Sequence, residues 1–360
     1  MGKPASRKHM IRTAQDQATG NQTRGLTLGK FAPLHKGHQF LIETALAEVD
    51  HLTVIIYNEP SVTDIPLSVR ASWIRQLYPA VRVIEAWDGP TETGDTPEIR
   101  AKHEDYILRV LGIGGITHFY SSEFYGQHMS KALGAQDRRV DPARAVVPIS
   151  GRQIRQDPFA QRQYLHPSVL RSHLVSVAFL GAPCSGKTTI ASALAQRHHT
   201  AWMPEYGREY WERYQNARRL TPRQLLYIAQ EHLRREDELL AQANGTLFCD
   251  TNAITTYTFA QDYHGSALPR LAQLAQSAQT RYDLTFLCEV DIPYDDTWDR
   301  SGDVNRQNFQ QRIVADLLER RQPFIRLRGN LEERMAKVDR ALSLYRKYQP
   351  QQQFWKLMED

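Results

Sequence analysis

Cysteine is scarce in this chain. Its 360 residues hold three, Cys184, Cys249 and Cys288, and none has the spacing of a metal-binding pair. Two of them lie in apolar, strand-like runs, so buried, reduced thiols are expected rather than a disulfide, and with them a cytoplasmic location. Long apolar runs are also missing. None approaches the length that crosses a bilayer, and the start lacks the apolar core of a signal peptide, so no membrane partner is expected. Charge of one sign is lacking too: 45 Lys and Arg against 40 Asp and Glu leave a net charge of +5. Those charges are scattered rather than gathered in a stripe, which argues against nucleic acid as the main partner. The small excess suits a protein that handles phosphorylated ligands. There is no internal repeat, and no low-complexity segment beyond Gln349 to Gln353.

What the chain does have is a phosphate-binding loop. Its hydrophobic content of 41% and charged content of 24% are those of a globular protein, and its length suits two domains. Ser176 to Ile190 reads Ser-Val-Ala-Phe-Leu-Gly-Ala-Pro-Cys-Ser-Gly-Lys-Thr-Thr-Ile, in which Gly181, Gly186, Lys187 and Thr188 fit G-x-x-x-x-G-K-[ST]. The nearly continuous apolar run from His173 to Leu180 reads as a buried parallel strand. Ile190, Ala191, Ala193, Leu194 and Ala195 form the stripe of a helix packed on a sheet. Amides of the loop and first turn, with Ser185 and Thr189 among them, would cradle the phosphates of ATP. Lys187 would reach the β- and γ-phosphates and Thr188 would hold Mg²⁺. Such a loop follows the first strand of its domain, so the upstream half needs a fold of its own.

That half opens with a polar stretch, Met1 to Arg24, expected to be a flexible tail. Leu26 to Leu28 then reads as a strand, followed by Gly29-Lys30-Phe31-Ala32-Pro33-Leu34-His35-Lys36-Gly37-His38 and the helical stripe Phe40, Leu41, Ala45, Leu46. Two histidines three apart at the start of a helix lie on one face, where free amides and the helix dipole already favour a phosphate. Gly29 lets backbone approach a ligand. Strands at His51–Tyr57, 81–86 and His118–Ser121 alternate with helices at Leu67–Leu77 and 99–111, as in an α/β domain. Arg70 is a candidate phosphate or substrate contact, or else a surface arginine. Trp87, just past a strand end, either stacks on a base or belongs to the core.

These residues resemble the nucleotidyltransferases that carry a G-x-F-x-P-x-H-x-G-H signature in a Rossmann-like sheet. Val146 to Arg155, reading Val-Val-Pro-Ile-Ser-Gly-Arg-Gln-Ile-Arg, is similar to their second signature, although Arg152 stands where many members have Thr. The resemblance implies that His35 and His38 bind the triphosphate and stabilise the transition state of adenylyl transfer. Lys30, Phe31, Ser150 and Arg155 would assist.

Further along, Glu205 follows the strand Ala201–Met203 and is a candidate base, with an ion pair as its rival role. Thr246 to Asp250 is an apolar strand ending in an acid, so Asp250 would help to hold Mg²⁺. Tyr294 to Arg306 is a charged excursion with the look of a lid, and Arg300 and Arg306 are either γ-phosphate clamps or solvated charges. Taken with Glu205-Tyr206-Gly207-Arg208-Glu209 and Asp250-Thr251-Asn252-Ala253-Ile254-Thr255-Thr256, the domain order is similar to that of the NadR family. Its members join a nicotinamide-mononucleotide (NMN) adenylyltransferase to a ribosylnicotinamide kinase; here Asn252 stands where they tend to have Asp.

The resemblance implies an α/β chain with two parallel sheets. Residues 1–24 form a tail, 25–156 a Rossmann-like nucleotidyltransferase domain, 157–167 a connector, 168–350 a P-loop kinase domain and 351–360 a tail. It implies ATP, nicotinamide riboside, NMN and NAD as ligands, with Mg²⁺. Tyr206, Arg208, Tyr294 and Trp298 would contact substrate, Tyr294 by stacking on nicotinamide or, alternatively, by packing under the lid. A repressor role is not expected, because a helix-turn-helix is missing here; a homo-oligomer is left open. The rival readings are another adenylyltransferase–kinase pair, making coenzyme A or flavin nucleotides, and a nucleotide-sensing regulator.

Overall fold

The computed structural model describes residues 22–123, 125–216, 219–293 and 303–359. It divides into two compact units, Met1–Ile149 and Ser150–Asp360. The expected flexible tail falls almost wholly outside the described residues, as do Tyr294, Trp298 and Arg300.

In the first unit five strands form one parallel sheet: β1 (Arg24–Gly29), β2 (His51–Tyr57), β3 (Arg82–Ala86), β4 (His118–Ser121) and β5 (Gln136–Arg139), in the order β3-β2-β1-β4-β5. Leu26 pairs with both Thr53 and Phe119, which puts β1 at the centre. Strands buried on both faces need near-continuous apolar sequence, and β2 supplies it with Val54, Ile55 and Ile56 fully buried. β5 reads Gln-Asp-Arg-Arg. Such a polar edge strand has no apolar signature, which is why the sequence pattern passes over it and over the preceding helix Gly126–Leu133.

The second unit repeats the arrangement with β6 (Val175–Leu180), β7 (Trp202–Met203), β8 (Thr246–Asp250), β9 (Leu284–Cys288) and β10 (Ile325–Leu327), in the order β10-β9-β6-β8-β7, again all parallel. Phe179 of β6 lies between Phe248 and Phe286 of its neighbours, with ring centroids 6.1 and 5.7 Å away. That face packs with Ile190, Leu194 and Val338, while Ala178, Cys249 and Leu287 of the opposite face pack with Ile228, Ile254 and Ile313. Helices therefore cover both faces. The helix Pro222–Leu239 begins with Thr221 and Gln224 in a reciprocal cap and Pro at the first position, as its sequence predicts.

Two segments differ from the sequence reading. The C-terminal stretch expected to be a tail is a helix, Gln352–Glu359, whose Phe354 and Met358 are buried in the β6–β9 core. The expected connector is folded as well: Leu165 is buried, Phe159 packs on the second core, and Arg162 donates to the Ala241 carbonyl. The helix Gly151–Gln156 falls within the second unit, although its sequence groups it with the first. Glutamines and prolines suggested a linker because they carry no periodicity; single anchors such as Phe159 are invisible to pattern.

Two stability measurements follow from this packing. A fragment starting at Ser150 should resist urea better than one starting at Ser168, by at least about 2 kcal/mol, since the shorter piece loses the burial of Leu165 and Phe159. Equal midpoints and slopes would contradict the packing role. Separately, burial holds His232 and His173 at about 4, the nearby Lys347 adding to the effect at His173. Both bind protons more readily unfolded, near their ordinary pKa of about 6.5. Their contribution is therefore complete above that pH and is lost as pH falls toward about 4. Replacing His232 with Leu should flatten the pH dependence of urea unfolding in that window by up to about 1.4 kcal/mol per pH unit.

Candidate functional site

In an open parallel sheet, ligands bind beyond the carboxyl ends of the strands, where the strand order reverses. In each unit that point is the end of the central strand, β1 or β6. Both expected phosphate motifs stand there.

After β1 the chain turns into the helix Lys36–Glu48, and His35 is its N-cap. His35 Nδ1 accepts from the amides of Gly37 at 3.1 Å and His38 at 3.4 Å. His38 Nδ1 accepts in return from the His35 amide at 3.4 Å. The two rings stack with centroids 3.8 Å apart, and the Phe31 ring tilts against His38 at 4.8 Å. A cap of this kind needs both Nδ1 atoms unprotonated, so in the neutral rings each Nε2 carries the hydrogen. Burial pushes the His38 pKa well below its ordinary value, and the neighbouring His35 and Arg144 push it the same way, while a hydrogen bond to the Pro33 carbonyl opposes them. His38 is therefore neutral near pH 7. Gly37 is required by contact, because a Cβ there would lie 3.0 Å from the His35 ring.

The neighbours of this turn have mixed fates. Lys30 pairs with the buried Glu59 at 2.9 Å and is about one-third exposed. Arg70 is not an open ligand contact: it is 1% exposed. Its guanidinium donates to the carbonyls of Ile65 at 3.1 Å, Tyr57 at 3.0 Å and Lys30, so it is a strut beneath the site. Phe31 is buried at φ 44°, and its side chain packs rather than facing a nucleotide. Trp87 follows β3 and is 55% exposed, so it belongs to the surface and not to the core.

Ser150 and Arg155 are described with the second unit. Ser150 caps its short helix, its hydroxyl engaged with Gln153 at 2.7 Å. Burial and the charge of Arg152 lower the Arg155 pKa.

After β6, Gly181 at φ 145° and Gly186 at φ 87° bracket the loop, and the helix Lys187–Arg197 begins. A side chain at Gly181 would lie 2.6 Å from the Cys288 carbonyl. Lys187 is buried, its Nζ donating to the Ala182 carbonyl at 2.9 Å. Three side chains grip the loop from outside. Arg306 donates to the Cys184 carbonyl at 3.1 Å, Arg334 donates to the Ser185 carbonyl at 2.6 Å, and the Ala182 amide donates to Gln310 Oε1 at 2.8 Å. Turning the carbonyls of Cys184 and Ser185 outward leaves the loop interior to amides, the form of an anion nest. Arg306, expected either as a γ-phosphate clamp or as a solvated charge, braces the loop and also donates to the Ile292 carbonyl at 3.1 Å. Arg334 and Gln310 carry no motif signal, because they lie 149 and 128 residues from their partners in the loop.

Beside the loop, the Thr188 hydroxyl donates to Asp250 Oδ2 at 2.5 Å. Burial raises the Asp250 pKa, against the charges of Lys187 and Arg208 and the Thr188 bond. Its other oxygen, with Ser185 Oγ, Asn252 Nδ2 and Thr255 Oγ1, is buried without a partner. Groups left this way at one end of a sheet fit a polar ligand or a cation that satisfies them. Among the described residues no group of three or more His, Cys, Asp or Glu could hold a metal alone. Mg²⁺ does not need one, since it takes one or two protein oxygens and completes its shell with phosphates and water.

Glu205 follows β7 and is half-buried. Arg208 is half exposed and pairs with Glu212 at 3.3 Å. Tyr206 departs from the expectation of a substrate contact. It is 7% exposed beneath the Arg235 guanidinium, 3.9 Å from its ring centroid, and packs with Tyr210 and Tyr227.

The two sheets and their loops define a nucleotide-dependent transferase with a nucleotidyltransferase-type unit followed by a P-loop unit. Comparison agrees with that division: the cytidylyltransferase-like family matches residues 26–157 and the AAA domain family residues 176–334. The trifunctional NAD biosynthesis/regulator protein NadR of Escherichia coli K12 is 29% identical over 85% of this chain and 79% of its own length. The corresponding Salmonella typhimurium LT2 protein is 29% identical over 84% and 78%. A crystal structure of a NadR protein with NAD and AMP-PNP shares the fold, at TM-score 0.51 and 20% identity over 88% of this chain and 94% of that one. Another, with NR, has TM-score 0.50 and 21% identity over 89% and 95%. The chain is thus similar to NadR proteins over most of its length. Within the described residues no helix is long and apolar enough to cross a membrane.

Removing the Arg334 side chain frees the Ser185 carbonyl and strands Asp291, with which it pairs. Arg334→Ala should weaken AMP-PNP binding at the P-loop by about 10-fold or more, the effect of losing a charge-assisted hydrogen bond that holds a ligand-binding backbone. Calorimetric titration measures it, and an unchanged affinity would remove Arg334 from the loop's support.

Proposed function

We propose that the chain makes NAD in two ATP-dependent steps, phosphorylating nicotinamide riboside in the second unit and adenylylating the resulting mononucleotide in the first. The observation that carries this reading is the presence of two independent phosphate-binding turns, each at the carboxyl end of the central strand of its own sheet. The NadR-type kinship supplies the substrates.

In the kinase step the riboside 5′-hydroxyl attacks the γ-phosphorus of ATP. The loop amides and Lys187 hold the transferring phosphoryl group and offset its charge. Thr188 and Asp250 are the residues that would hold Mg²⁺, which would supply positive charge to offset that of the phosphates. Glu205 or Asp250 would accept the hydroxyl proton. Arg208, whose charge is felt at Asp250, would add positive charge near the same phosphates.

In the adenylyl step an oxygen of the mononucleotide phosphate attacks the α-phosphorus of ATP, and pyrophosphate departs with the bond's electron pair. No side chain becomes covalently attached. His35 and His38 would orient the polyphosphate, and Lys30 would add charge. Trp87, exposed past β3, offers a face for a base.

The test is product analysis with ATP, Mg²⁺ and nicotinamide riboside, which should yield the mononucleotide and then NAD. Lys187→Ala should reduce riboside phosphorylation by at least about 100-fold while mononucleotide conversion continues; His38→Ala should do the reverse. A folded single mutant that lost both activities would refute two separate sites.

A further inference from the structure

The segment after β5 is built with unusual stiffness for a surface loop. Asp141 and Arg144 both hold left-handed backbone, at φ 47° and 52°, which costs a non-glycine residue conformational energy. The Asp141 carboxylate holds that shape by accepting the amides of Ala145 at 2.7 Å, Val146 at 3.1 Å and Val147 at 2.9 Å. The Arg144 amide closes the turn on the Asp141 carbonyl at 2.9 Å. The loop lies against the histidine turn, since Val147 Cγ1 is 3.9 Å from the position a Cβ would take on Gly37.

Arg144 sits at the crest, exposed, and its guanidinium makes no hydrogen bond or ion pair with any described residue. Its charge nonetheless reaches the His38 ring and helps to keep that histidine neutral. Lys30, another cation of this turn, is partly offset by Glu59. The Arg144 guanidinium therefore stands beside the phosphate-binding turn as a cation with no carboxylate partner among the described residues, as does the exposed Lys36 within the turn.

We infer that Arg144 is a catalytic residue of the adenylyl step, clamping the β- and γ-phosphates of ATP and the pyrophosphate that leaves, and that Asp141 is its positioning residue. This rests on the adenylyltransferase reading given above. As the mononucleotide oxygen bonds to the α-phosphorus and the α–β bridge breaks, the electron pair passes to pyrophosphate. A guanidinium there meets charge that grows in the transition state. Holding the Arg144 backbone in a strained turn fixes where its side chain starts, so only the side chain itself remains to be ordered on binding.

The test uses the full chain. With ATP, Mg²⁺ and the mononucleotide, Arg144→Ala should lower kcat/KM for ATP by about 10- to 100-fold and weaken product inhibition by pyrophosphate by a similar factor. Arg144→Lys should recover part of both, and riboside phosphorylation should be unchanged in each. Asp141→Ala should reproduce part of the loss with Arg144 present and add little once Arg144 is absent, the signature of a positioning role in a double-mutant cycle. Unchanged kcat/KM and pyrophosphate inhibition in Arg144→Ala overturn the inference, as does full additivity of Asp141→Ala with Arg144→Ala. If the unmutated chain formed no NAD from the mononucleotide, the adenylyltransferase reading itself would fail, an outcome distinct from either of these.

Discussion

The architecture depends on one constraint: the first turn of a helix leaves backbone amides without partners. In both units that turn follows the central strand of a parallel sheet, so the unpaired amides of Gly37 and His38, and those of the loop before Lys187, meet the crevice where strand order reverses. The first unit satisfies two of them with a histidine ring, while the second draws its loop into a nest. Everything else in either site adjusts how firmly that backbone is held and what charge faces it.

Buried arginines do most of the holding. Arg70, Arg306 and Arg334 are all nearly inaccessible, and each sends its guanidinium to two or more backbone carbonyls. A fork of fixed geometry with five donors suits this work better than a lysine, because it ties several carbonyls from separate segments at once. The carboxylates Asp291 and Glu59 near these forks limit the cost of the buried charge. Arginine thus serves here as scaffold more often than as ligand contact. An arginine seen only in sequence therefore says little about which of the two it is.

Legibility followed the kind of interaction. Contiguous signals were readable: the loop from Gly181 to Thr188, the pair His35 and His38, the buried runs of β2 and β8, and the cap at Thr221. Long-range signals were not. The grip of Arg334 on Ser185 joins residues 149 apart, and β5 is a strand only because β4 offers its edge. Arg70 and Tyr206 were read as ligand contacts because their motifs lie next to a site, yet the space around them is filled by protein. The helix Gln352–Glu359 was missed for a related reason, since its two apolar anchors stand among glutamines and charges.

The stacked histidines of the first site bear on how this surface can change over generations. Each ring has a backbone-facing nitrogen that caps a helix and a second nitrogen at the opposite edge, so one side chain serves structure and chemistry together. Asparagine could supply the cap and lose the reach; glutamine has the reach but not the planar geometry that receives two amides. At most positions a sequence can drift by exchanging a little stability for a little activity and recovering it elsewhere. Here each replacement forfeits the cap, the reach or both, and the tautomer that a ligand meets is chosen by the main chain rather than by the ligand. Variation in substrate preference is thereby pushed outward, to residues such as Trp87 that carry no cap and hold no sheet together.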